Sequence, residues 1–188
     1  MAYLRVMSWN VYQLPGTATY QAPRLEPIIA AIARYADTYQ LDVAVLCEVF
    51  KEEAYAAIAA RLFGPGRRFA YMSPRPTGVF GGLNDGGVVV LARNARTLGV
   101  EVYAASASVD TFATKGFVAV DMTKNSRRFV VCGTHLQASY HTAPDGSGND
   151  AEAFYRRFRR RQLEQLARFV APHRASRTLV VAGDLNVD

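Results

Sequence analysis

Asn10, Glu48, His135, Asp184 and Asn186 each follow an apolar run of the sequence, in "LRVMSWN", "LDVAVLCE", "RFVVCGTH" and "TLVVAGDLN". Each has an ordinary explanation alone: Asn forms turns, Glu48 could cap a following helix, and a single His more often satisfies a backbone group. Taken together, the residue types point to one chemistry. Glu, Asp and Asn supply hard oxygen ligands, which suit Mg²⁺, with Mn²⁺ or Ca²⁺ as substitutes, and not zinc. A His–Asp arrangement could activate water, and Asn side chains could help hold a substrate. That kit fits hydrolysis of a phosphate ester. The chain has no Cys/His cluster at metal spacing, no Gly-rich loop ending in Lys-Ser or Lys-Thr, and no Ser nucleophile elbow.

Such side chains need rigid elements behind them. Near-continuous Val/Leu/Ile runs suit strands buried on both faces. "GGVVVLAR" (86–93) and "GFVAVDMT" (116–123) add two more, so at least six strands are expected. Helical stripes fall between them. Residues 23–39 align Leu25, Ile28, Ile29, Ile32, Tyr35 and Tyr39, with prolines in the first turn, and residues 52–63 align Tyr55, Ile58, Ala59 and Leu62. Residues 150–170 set Phe154, Phe158, Leu166 and Phe169 against an arginine face, with Asp150 as N-cap. Long loops are expected at 13–22, 64–87 and 138–149. The second carries Phe63, Phe69, Tyr71, Met72 and Phe80 in or beside it, and could meet a membrane or pack on the domain with equal weight. The expectation is a layered α/β fold in one domain, 1–188.

Half of the 188 residues are apolar and one in five is charged, as in an ordinary globular domain with room for a core. Cys47 and Cys132 sit in apolar runs and read as buried thiols rather than a bridge. No apolar stretch approaches the roughly 18 residues that span a bilayer. The N-terminus shows no signal peptide, so the chain as written reads as cytoplasmic or peripheral to a membrane, and as secreted if a leader is missing. The formal charge of +6 favours anionic partners. Much of it lies in "YRRFRRRQ" (155–162), read first as a solvated helix face.

The motifs, in order, resemble those of the endonuclease/exonuclease/phosphatase superfamily, the DNase I-like fold. "SWNVYQLPG", "DVAVLCEVF", "DGGVVVLAR", "GTHLQAS" and "AGDLNVD" carry the likeness. "DTFATKGFVAV" and "RRRQLEQL", with Arg159, Gln162 and Leu163, resemble its neutral sphingomyelinase branch. The resemblance implies a four-layer α/β sandwich of two packed β-sheets flanked by helices. It implies Glu48 as the main metal ligand, with Asn10 beside it on metal or phosphate. His135 would hydrogen-bond the phosphoryl oxygens, Asp184 would orient or help activate water, and Asn186 would hold a phosphate oxygen. Lys115 would contact substrate or pair with Asp110. The activity implied is a Mg²⁺-dependent attack of activated water on phosphorus, cleaving sphingomyelin at a membrane surface to ceramide and phosphocholine. A nuclease or other phosphoesterase acting on nucleic acid, and a non-catalytic binding module, are the alternatives, and no protein partner is expected. One departure stands out. The family's closing "D-H" motif has no counterpart here, since His141 and His173 lie in other contexts. The sequence therefore reads as incomplete at its C-terminus and inactive, or nearly so, on its own.

Overall fold

The computed structural model describes residues 3–14, 22–77, 86–140 and 151–187. Strand β1 (Val6–Gln13) leads to helix α1 (Ala22–Thr38), and β2 (Val43–Val49) to α2 (Glu52–Leu62). Then come β3 (Tyr71–Met72), β4 (Val89–Ala92), β5 (Arg96–Val102), β6 (Gly116–Lys124) and β7 (Arg127–His135), followed by α3 (Ala151–Val170) and β8 (Thr178–Asp184). They form two four-stranded sheets, ordered β1-β2-β4-β3 and β5-β6-β7-β8.

Strand alternation sorts the core into three seams. Val43 and Val45 of β2 and Val90 of β4 face Val118 and Val120 of β6 and Val131 of β7, which joins the two sheets. The opposite face of β2, Ala44 and Leu46, packs under Ile28, Ile29 and Ile32 of α1 and Ile58 and Leu62 of α2. Phe117, Ala119, Val130 and Cys132 on the far side of the second sheet meet Leu166 and Val170 of α3. The result is the expected four-layer sandwich of two packed sheets flanked by helices. Cys47 and Cys132 are buried and unbridged, and burial pushes both thiols up to about 12.

Several elements depart from the sequence reading. Two strands escaped it. β5 is an edge strand with no buried residue, so it lacks a continuous apolar run, and β3 is only two residues long. Pro27 lies inside α1 beyond its first turn, where its missing N–H leaves the Pro23 carbonyl without its helical donor. Tyr39 falls past the end of α1 and is exposed rather than part of the buried stripe. In the 64–87 stretch Phe69 is fully buried and Tyr71 and Met72 form β3, leaving only Phe63 exposed among the described residues of that apolar set. Phe80, His141 and the Asp150 cap lie outside the described residues. The arginine run is not uniformly a solvated face either. Arg159 is 4% exposed and donates to the Gln137 carbonyl and to Ser139 Oγ, while Gln162 Oε1 accepts the Gln137 N–H. These two side chains bind the segment after β7 to α3.

At the other end of the second sheet, Asp121 of β6 gathers Arg96 of β5, Arg128 of β7 and Arg177, which precedes β8, at 2.7, 3.1 and 3.1 Å. One carboxylate thus links segments from all four strands. Burial opposes its charge, but the three guanidiniums outweigh that and hold the carboxyl down at about 2. An unfolded Asp titrates near 3.9. The clamp's contribution is therefore complete above the unfolded value and is lost as the pH falls through about 2. Asp121→Asn should cost about 1–2 kcal/mol at pH 7, discounted because two of the arginines are substantially solvated. Urea melts between pH 5 and pH 2 should show the gap between wild type and variant closing as the pH falls.

Candidate active site

Four strand ends converge here because β1 runs parallel to β2 and β7 parallel to β8. The two pairs touch where Cys47 Sγ donates to the Thr134 carbonyl at 3.3 Å. Register does the rest. His135 and Asp184 are direct partners across β7 and β8, which places their side chains together. Asn10 is paired with Cys47 and Gln13 with Val49, so β1 spends Val11 and Tyr12 where β2 spends only Glu48. That bulge holds Tyr12 and Glu48 in the left-handed region, with φ of 54° and 61°. Strict alternation would turn Val49 toward the second sheet. It packs instead with α1 and α2, so the kink at Glu48 reverses the strand's phase. Asn10, expected at a strand end, lies within β1 just before this bulge.

Glu48, His135 and Asp184 each present a ligand atom within 4.8 Å of the others. Asn10 joins them. Its Nδ2 donates to Glu48 Oε1 at 2.8 Å and to Asp184 Oδ2 at 2.9 Å, while its Oδ1 accepts the Tyr12 N–H. Asn10 therefore acts here as a donor between two carboxylates, with its oxygen turned to the backbone. Asn186, at φ 50°, donates its backbone N–H to Asp184 Oδ1 and its side-chain amide to the Leu136 carbonyl. The second Glu48 oxygen, Oε2, is buried and has no partner. A buried carboxylate oxygen left this way is costly unless a cation meets it. Burial raises the Glu48 pKa, against the Asn10 bond and the Lys115 charge. For Asp184 burial acts upward too, but the Asn10 and Asn186 donors, then His135 and Lys115, bring its pKa below the usual value. The two carboxylates are thus set apart by their surroundings. Burial first, and then the Lys115 charge, depress His135 to about 4, so its imidazole is neutral at pH 7. At 3.8 Å its Nε2 stands beyond hydrogen-bond range of Asp184, and its Nδ1 is buried without a partner.

Lys115 and Asp110 come together at 2.9 Å, both almost fully buried. Lys115 also donates to the Leu136 carbonyl, and Asp110 accepts from the Ala138 N–H and the Tyr140 hydroxyl. The pair tethers the segment that leaves β7 directly after His135. A cavity of about 440 Å³ opens above the cluster, lined by Glu48, Lys115, His135 and Asn186 together with Leu14, Phe50, Phe112 and Tyr140. These apolar and aromatic liners were missed in the sequence. Phe50 follows Glu48 by two residues and Phe112 follows Asp110 by two, so proximity to an acidic residue was the signal available.

Gly183 makes the close approach of β8 to β7 feasible. Its φ is 143°, and a Cβ there would lie 1.8 Å from the Thr134 carbonyl oxygen. Gly183→Ala should destabilise the fold by about 2–4 kcal/mol, read as a lower urea midpoint. It should also displace the neighbouring Asp184.

A model described as the Endonuclease/Exonuclease/phosphatase family matches residues 7–188. The chain is 29% identical over 107 residues to a phospholipase C of Staphylococcus aureus, a match covering 55% of this chain and 30% of that protein. The sphingomyelinase C structure from Streptomyces griseocarneus superposes with a TM-score of 0.74 at 27% identity, covering all of this chain and 66% of that one. A Staphylococcus aureus beta toxin variant with bound magnesium ions gives a TM-score of 0.74 at 21% identity and the same coverage. The chain thus spans under two thirds of the length of these relatives.

Proposed function

The chain belongs to the Endonuclease/Exonuclease/phosphatase family, and on that premise we propose that it forms the active-site part of a metal-dependent phosphodiesterase acting on sphingomyelin. One observation carries the metal: the Glu48 carboxylate, whose Oε2 is buried without a partner, belongs to a cluster in which it, His135 and Asp184 each bring a ligand atom within 4.8 Å of the others. Oxygen donors of this kind fit Mg²⁺, the ion named for the beta toxin relative. A divalent cation held by Glu48 would polarise the phosphoryl oxygen and draw off charge that builds in the transition state.

The chain's own residues supply the remainder. Asn10 fixes the Glu48 carboxylate and keeps it apart from Asp184. His135, neutral and rigidly buried, donates a hydrogen bond to a phosphoryl oxygen. Asp184, kept ionised by two donors, orients the attacking water, and the remaining amide hydrogen of Asn186 reaches a phosphate oxygen. Lys115 acts through Asp110 to hold the segment beside His135. The aromatic rim of Phe50, Phe112 and Tyr140 suits a quaternary ammonium headgroup. Together with the likeness to a sphingomyelinase C, that favours a choline lipid over a nucleotide. No second histidine joins the cluster among the described residues, since His173 closes the short helical turn Ala171–His173 before β8. Turnover by these 188 residues should accordingly be slow, by about 10²–10⁴-fold relative to an enzyme with a full general base.

The test is release of phosphocholine from sphingomyelin vesicles with Mg²⁺ and with EDTA. Metal-dependent release supports the reading. Nicking of plasmid DNA with sphingomyelin untouched would replace it with a nuclease.

A further inference from the structure

The Asp121 clamp holds more positive charge than it needs. Arg177 is mostly buried and meets both Asp121 oxygens, which already satisfies a structural ion pair. Arg96 and Arg128 remain 70% and 45% exposed, and each contributes only its Nη2 to Asp121 Oδ2. Three guanidiniums against one carboxylate leave a local charge of +2. Each guanidinium carries five N–H donors, so most donors of Arg96 and Arg128 are not spent on Asp121. A hollow of about 290 Å³ lies at this point, lined by Asn94, Arg96, Asp121, Thr123 and Arg128. Its walls thus combine an amide, a hydroxyl and two guanidiniums held in place by a shared buried carboxylate.

The surroundings add to the field. Strand directions bring the starts of β1, β5, β7 and β8 and the end of β6 to this same end of the sandwich. Arg5, Arg68, Arg93, Lys124, Arg127 and Arg174 lie in or beside the segments there. The acids among them are few. Asp42 is buried against Lys124 and the Arg5 N–H, Asp121 is the clamp itself, and Asp37 is exposed at the end of α1. Repulsion among cations this dense is relieved by a bound anion.

We propose that Arg96 and Arg128, set by Asp121, form an oxyanion site for a soluble ligand carrying several phosphate groups. Guanidinium forks match phosphate oxygens two at a time, and the neighbouring cations accommodate further phosphates of the same molecule. A soluble source is favoured over a lipid headgroup by position. Arg128 and His135 are seven residues apart on β7, about 23 Å at the usual strand rise. A bilayer held at Arg128 would leave the Glu48 cluster facing away from it. The choice of a soluble source rests on the proposed lipid substrate of that cluster; the oxyanion site itself does not.

Calorimetric titration of the 188-residue chain with tripolyphosphate, without divalent metal and at 0.15 M salt, tests the proposal. Saturable binding is expected, weakened at least tenfold by Arg96→Gln and removed by Arg96→Gln with Arg128→Gln, with circular dichroism unchanged. Arg161→Gln, on the exposed face of α3, should bind like wild type. Absence of saturable binding overturns the site. So does equal weakening by Arg161→Gln, which would mean unspecific attraction, or recruitment to phosphatidic acid vesicles without tripolyphosphate binding.

Discussion

Glu48→Ala should abolish divalent-metal binding and lower phosphodiester hydrolysis by about a thousandfold, a loss of about 4 kcal/mol of transition-state stabilisation. Glu48 is the carboxylate whose Oε2 is buried without a partner, and the β1–β2 bulge turns it toward His135 and Asp184. Alanine also leaves Asn10 with one acceptor fewer, so some loss of stability accompanies the loss of function. Glu48→Gln separates the two effects. It keeps an acceptor for Asn10 and removes only the charge, so its urea midpoint should stay near that of wild type while metal affinity collapses. Wild-type metal affinity in Glu48→Gln would place the ion elsewhere.

Asp110→Ala should be the most destabilising single change, costing about 3–5 kcal/mol by leaving the Lys115 ammonium buried and unpaired. Both side chains are only about 4% exposed, and Asp110 also holds the Ala138 N–H and the Tyr140 hydroxyl. Three of the bonds that order the segment after His135 are lost at once. Adding Lys115→Met should recover a large part of the loss, because the stranded charge disappears with its partner. Denaturant melts of the two single variants and the double variant measure the coupling. A cost below about 1 kcal/mol for Asp110→Ala would mean that the pair is hydrated and not buried as found.

Much of the site was legible because each of its strands carries an apolar run, although only β2 and β7 are buried on both faces and β1 and β8 are sheet edges. β2 is apolar from Val43 to Cys47 and β7 from Phe129 to Cys132, so the polar residues that follow, Glu48 and His135, stand out in the sequence. Asp184 and Asn186 stand out in the same way at the end of the apolar run of β8, even though that edge strand has no buried residue. What puts Glu48 beside Asn10 was not legible. The bulge depends on how β1 pairs with β2, and nothing local in "SWNVYQ" marks Tyr12 as left-handed. β5 was hidden because an edge strand needs no continuous apolar run, and "RTLGVEV" alternates with a glycine at its centre. Arg159 was misread with its charged neighbours. Its burial is set by the segment 137–139 folding across α3, a contact made by residues far apart in sequence. The pairing of Lys115 with Asp110 was expected as one of two readings, and the structure places them together.

The most direct test is a crystal of the 188-residue chain soaked in Mn²⁺, measured at the manganese edge. An anomalous peak about 2.1 Å from Glu48 Oε2, beside Asp184 and absent in Glu48→Gln, is the expected result. A peak bound elsewhere in the wild-type chain, with the Glu48–His135–Asp184 corner empty, would contradict it.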